Sequence, residues 1–150
     1  MRKKWRLVLL HFFVGIGALA GGTPAILDPF NPMGMPADAL VNGPFNSFLI
    51  PGLFLFLVIG GGNIVTSILI VRKWLFYSYT SVLMGVILCL WIIIQCYVLS
   101  DVVFLHLLFF VIGAVQVGLG FRYWQAEGRV LISQDIVKLT HIFKNKKNVS

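Results

Sequence analysis

Nine polar side chains occupy or border stretches that are otherwise apolar: Asp28, Asp38, Trp91, Gln95, Asp101 and His106 form one set, and His11, Asn63 and Gln116 a second. A polar group at lipid depth is costly, so each is a candidate for ligand binding or proton handling. Position along the chain sorts them into two layers. His11, Asn63 and Gln116 fall in the half nearer the Lys- and Arg-rich borders, whereas Trp91, Gln95 and His106 fall near the opposite border, beside the loop acids. The helical rise places His11 and His106 on the order of 20 Å apart along the helix axes, too far to share a metal ion or one proton transfer.

The outer set suits a cation, a lipid headgroup or a polar small molecule held beneath a loop. Its plainer account is hydrogen bonding between helices, with the acids capping turns, and the inner set has the same plainer account. Neither set offers two close carboxylates, metal-ligand spacing or a nucleophile with its base, so no catalytic residue, metal or cofactor is expected. Cys89 and Cys96 lie seven residues apart with no C-x-x-C motif. On one helix that spacing separates their Cα atoms by about 10 Å, beyond disulfide reach, and both read as packing residues. Gly60-Gly61-Gly62 has no adjacent lysine and lies in an apolar run, so it reads as a close-approach or kink element and not as a phosphate loop.

These residues are positioned by elements written for a bilayer. Of 150 residues, 59% are hydrophobic and 11% charged, which excludes an ordinary soluble domain. The stretch from Ile50 to Val71 ends at Arg72-Lys73, and as a helix it covers roughly 33 Å against a hydrocarbon core of about 30 Å. Spans are expected over residues 6–22, 48–71, 78–98 and 102–121, forming one membrane domain over 1–127. Ser47 or Asn46 is the expected N-cap of the second span. Leu99-Ser100-Asp101 leaves room only for a tight antiparallel hairpin between spans three and four.

All twelve Lys and Arg lie before span one, between spans two and three, or after span four, whereas the two opposite loops hold only acids. The positive-inside rule then puts both termini in the cytoplasm, and the net charge of +7 reports topology, with no nucleic-acid partner expected. The first segment also resembles a secretory signal, with Ala18-Leu19-Ala20 as a cleavage pattern. Retention as a span is favoured because His11, Gly15, Ala18 and Gly22 share one helical face.

Residues 23–47 form the outer loop, with five prolines, and Pro36 to Val41 reads as a short helix within it. Its apolar residues imply an ordered loop packed over the helix ends. The tail, 128–150, places Ile132, Ile136, Leu139 and Phe143 on one stripe of a basic amphipathic helix. It is read as lying on the inner leaflet, where it caps the bundle, docks a cytoplasmic partner or meets anionic lipid.

Asp28-Pro29, Gly34-Met35-Pro36, Gly43-Pro44-Phe45, Ile50-Pro51-Gly52 and Trp91-Ile92-Ile93-Ile94-Gln95 together resemble a group of small four-span bacterial membrane proteins, most of them uncharacterised. The likeness covers roughly Gly15 to Gly120 and leaves out the basic tail. It implies an architecture and a bacterial cell-membrane setting, and no activity.

The expected fold is therefore an all-α membrane protein, a four-transmembrane-helix bundle with an ordered outer loop and a C-terminal amphipathic helix. The expected function is a non-enzymatic accessory or binding role, as a subunit or partner of a larger membrane complex. The alternative is a small oligomeric transporter or a lipid- or quinone-binding protein. The partners in view are the lipid bilayer, a membrane protein or a second copy of the chain, and a small ligand or lipid.

Overall fold

The computed structural model describes residues 2–74 and 76–147, with side chains over 4–74 and 76–126. Among these residues it is all-helical. Helix α1 spans Arg2–Leu27, α2 spans Leu49–Val71, α3 spans Tyr77–Leu99 and α4 spans Phe104–Lys147. Each contains a stretch long and apolar enough to cross a membrane, which in α1 is Lys4–Leu27 and in α4 is Phe104–Ala126.

The helix ends depart from the sequence reading in ways that burial explains. Helix α1 does not stop at Gly22 but runs through Pro24 to Leu27, so the loop begins at Asp28. A proline inside a helix loses one backbone hydrogen bond and costs about 3 kcal/mol. Here Ala25 is buried against Gly52, the Thr23 hydroxyl donates to Leu19 O at 2.7 Å, and Asp28 N donates to Pro24 O at 2.9 Å. The expected polar cap at Ser47 or Asn46 is also replaced: Phe48 is the N-cap of α2, with no side-chain cap bond. Phe48 is buried, its N–H donates to Pro29 O at 2.8 Å and its carbonyl accepts from Gly52 N at 2.7 Å, so packing sets the start of α2. In the loop, the short helix expected over Pro36 to Val41 shrinks to one 3-10 turn, Ala37–Ala39, preceded by another at Pro32–Gly34. Helix α4 continues without a break to Lys147, and the stripe expected on Ile132, Ile136, Leu139 and Phe143 lies outside the described side chains.

Around the bundle, α1 packs against α2 and α4, and α3 packs against α4 and the second half of α2. That leaves α1 and α3 on one diagonal. Glycines let the neighbours close up: a Cβ on Gly52 would stand 2.6 Å from the Ala25 Cβ, and one on Gly85 would stand 2.8 Å from Gly113 O. With lipid outside, such close backbone packing replaces the hydrophobic drive of a soluble core. The middle of α2, Phe54–Gly61, is π-helical. Just beyond it, Asn63 Nδ2 donates to Ile59 O and the Thr66 hydroxyl to Gly62 O, both at 2.8 Å, so side chains supply hydrogen bonds where the backbone pattern changes.

Three buried apolar clusters stack along the bundle. Leu7, Val8, Ile70 and Tyr77 lie at the end marked by Arg72-Lys73, which is called the basic end below. Val14, Ala18, Ile59, Leu88, Trp91 and Ile92 fill the middle, and Ala25, Leu40, Phe48 and Val98 close the end carrying the loop. Ser100 adopts the left-handed conformation, φ 49°, and turns the chain between α3 and α4. Asn42 straps the loop onto that turn: its Nδ2 donates to Tyr97 O at 3.1 Å and to the Ser100 hydroxyl, and its N–H donates to Val98 O at 3.2 Å.

Candidate functional site

Each helix contributes one polar side chain to a buried group toward the basic end. His11 from α1, Asn63 from α2, Ser81 from α3 and Gln116 from α4 are all fully buried, at 0% exposure. The geometry gives the donors and acceptors. Asn63 Nδ2 is committed to Ile59 O, which turns its Oδ1 toward the centre. That oxygen accepts from His11 Nδ1–H at 2.6 Å and from Gln116 Nε2–H at 3.1 Å. His11 Nε2 then accepts from the Ser81 hydroxyl at 2.8 Å. Gln116 Nε2 also lies 3.2 Å from His11 Nδ1, but with the proton on Nδ1 its hydrogen goes to Asn63. Gln116 Oε1 alone has no donor.

The sequence reading groups His11, Asn63 and Gln116 by depth, and they do meet. Ser81 is the member that the sequence reading does not single out; the available signal is a hydroxyl in the third span at the depth of His11.

At the loop end lies a cavity of about 520 Å³. Its walls come from all four helices, the loop and the α3–α4 turn, and they carry Trp91, Gln95, Asp101 and His106. A pocket of about 220 Å³ shares Trp91, Gln95 and His106 with it and goes deeper, to Val14, Ile59 and Leu88. The polar groups here are mostly donors without acceptors. Trp91 is 7% exposed, its ring packs on Phe54 with centroids 4.6 Å apart, and its buried Nε1–H has no hydrogen-bond partner. A buried donor left unpaired costs about 1–3 kcal/mol, which makes it a conspicuous feature of the wall.

His106 Nδ1 accepts from Val103 N at 3.2 Å, which assigns the ring proton to Nε2. Among the described residues neither that Nε2–H nor the Gln95 amide has a protein partner. Asp101, also in the lining, is exposed.

Two members of the outer set are not brought to this cavity. Asp28 is exposed, and its Oδ1 accepts from Asn31 N at 3.2 Å, a turn-capping contact; Asp38 is exposed in the first turn of the Ala37–Ala39 segment. Neither acid is among the lining residues, although the loop that carries them contributes Pro32, Met33, Met35 and Ala39 to the wall. Cys89 and Cys96 are free, and Cys89 Sγ–H lies 3.6 Å from Phe110 O, at the α3–α4 contact. Among the described residues no group of His, Cys, Asp and Glu is arranged to hold a metal ion.

Among the described residues, fold and site together define an all-helical protein with four helices of membrane-crossing length and a cavity walled in part by the loop. Comparison with protein-family models, curated proteins and solved structures finds no match.

Proposed function

We propose that this is a multi-pass cell-membrane protein, both termini cytoplasmic, with a non-enzymatic binding role: it holds a small amphipathic ligand under its outer loop and serves a larger membrane complex as subunit or partner. The apolar perimeter and the confinement of Lys and Arg to one side of the four apolar helices support the membrane setting and the orientation. The cytoplasmic amphipathic tail and the bacterial setting belong to the same reading.

One observation carries the binding role: His106 Nε2–H and the Gln95 amide, neither with a protein partner among the described residues, belong to residues that line a cavity large enough for a small molecule. Binding is favoured over passage across the membrane because the deeper pocket ends at Val14, Ile59 and Leu88, and its lining includes none of the four residues of the buried polar group.

Native mass spectrometry of the protein released from nanodiscs tests this reading. A small molecule retained in fixed ratio, and lost from Trp91→Ala and His106→Ala variants, is the expected result. A fixed heteromeric complex without any retained ligand would leave the accessory role and remove the binding role.

A further inference from the structure

Resting on the binding role, the chemistry of the cavity also specifies what enters it. The polar groups on the lining residues that keep accessible surface are unequal in kind. His106 Nε2–H can only donate, and the Gln95 amide offers two hydrogens against one oxygen, whereas Trp91 Nε1–H is sealed within the wall. The remaining walls are apolar, and the deeper pocket beyond Trp91 is lined by Val14, Ile59, Leu88 and Phe109. The one carboxylate in the lining, Asp101, is exposed, whereas His106 is buried. Such a site repels a buried cation, which would face N–H groups, and leaves a pure hydrocarbon with the donors still unpaired.

We infer that the cavity binds an uncharged, carbonyl-bearing amphiphile, whose carbonyl oxygen accepts from His106 Nε2–H and the Gln95 amide N–H while its apolar part occupies the pocket toward Val14 and Leu88. Both an ester-linked lipid of the outer leaflet and an isoprenoid quinone present this chemistry. Loop residues Pro32, Met33, Met35 and Ala39 supply part of the cavity wall, and Asn42 straps that loop to the α3–α4 turn.

Isothermal titration of the intact protein, purified in a maltoside detergent that itself lacks carbonyls, tests the inference with four probes: a benzoquinone with a short isoprenoid tail, a short-chain diacylglycerol, its dialkyl-ether counterpart, and an alkyltrimethylammonium ion. The quinone or the diester binds and the ether binds at least tenfold more weakly, about the effect of one hydrogen bond; whichever carbonyl probe binds more tightly names the source.

Gln95→Met removes the amide at similar side-chain length, and His106→Asn keeps an acceptor for Val103 N while withdrawing the distal donor. Each weakens the carbonyl probe about tenfold and leaves the ether unchanged. Equal affinity for ether and ester, tighter binding of the ammonium ion, or indifference to both substitutions overturns the carbonyl assignment while the binding role stands. Failure of all four probes to bind overturns the binding role with it.

Discussion

His11 Nε2 accepts from the Ser81 hydroxyl at 2.8 Å, joining α1 to α3 across the diagonal of the bundle. The same imidazole donates through Nδ1 to Asn63 on α2, and Gln116 on α4 donates to that same Asn63 oxygen, so one ring and one amide tie all four helices. A helix rotated about its axis would lose its member of the group and leave the others unpaired in an apolar interior, which makes the cluster a device for fixing helix rotation.

Asn63 is the hub and Ser81 a spoke, and their substitutions should differ accordingly. Asn63→Ala strands the donors of His11 and Gln116 and is expected to destabilise the bundle by about 1–3 kcal/mol. Ser81→Ala strands a single ring nitrogen and is expected to cost about 0.6 kcal/mol, the mean for interhelical bonds in a bilayer protein. Unfolding in mixed micelles measures both, and equal losses would argue against the hub assignment.

Gly85 and Gly118 lie in long helices with opposite surroundings, and alanine separates them. The new methyl at Gly85 meets Gly113 O at 2.8 Å, a backbone atom that cannot swing aside, whereas at Gly118 nothing stands within 4 Å. Gly85→Ala should cost about 1–3 kcal/mol through overpacking. Gly118→Ala should gain about 0.5–1 kcal/mol from reduced backbone freedom in the unfolded chain. Thermal unfolding followed by circular dichroism reads the opposite signs.

Asn42→Ala removes both side-chain bonds from the loop to the α3–α4 turn and keeps only the backbone bond to Val98 O. Both bonds are exposed, so global stability should fall by no more than about 1 kcal/mol. Local opening is the sharper readout: amide exchange in the loop and at Ser100 should quicken while the helix interiors stay protected. Unchanged loop exchange would show that Leu40 and Phe48, buried against Val98, hold the loop without the strap.

Orientation is open to a direct labelling experiment. With Cys89 and Cys96 replaced by alanine, single cysteines at the exposed positions Asp38 and Trp74 report opposite ends of the bundle. A membrane-impermeant maleimide added to intact cells should label D38C, and W74C only after the membrane is opened. The reverse pattern would invert the proposed topology.

Several features of this protein were legible without coordinates because they depend on local chain properties. Apolar length marks the four long helices, and the three residues Leu99-Ser100-Asp101 force the α3–α4 hairpin. Counting residues from the charged borders separates His11, Asn63 and Gln116 from Trp91, Gln95 and His106, and these two groups occupy different regions of the fold. Helix ends were less legible. The first span reads as ending at Gly22, yet burial of Ala25 against Gly52 carries α1 to Leu27; Ser47 or Asn46 reads as a cap, yet Phe48 takes that place because it is buried.

What the sequence determined by itself is composition, helix length, charge asymmetry and the depth of each polar residue, all quantities that a single helix possesses before it meets another. Which residues at one depth face each other was decided only by tertiary structure. Helix rotation is set by close contacts such as Gly52 on Ala25 and Gly85 on Gly113, and by bonds between residues 52, 53 and 70 positions apart. Those contacts admitted Ser81 to the buried group, left Asp28 and Asp38 on the loop surface, and enclosed the Trp91 N–H without an acceptor. A side chain's azimuth has no local cause, so packing had to supply it.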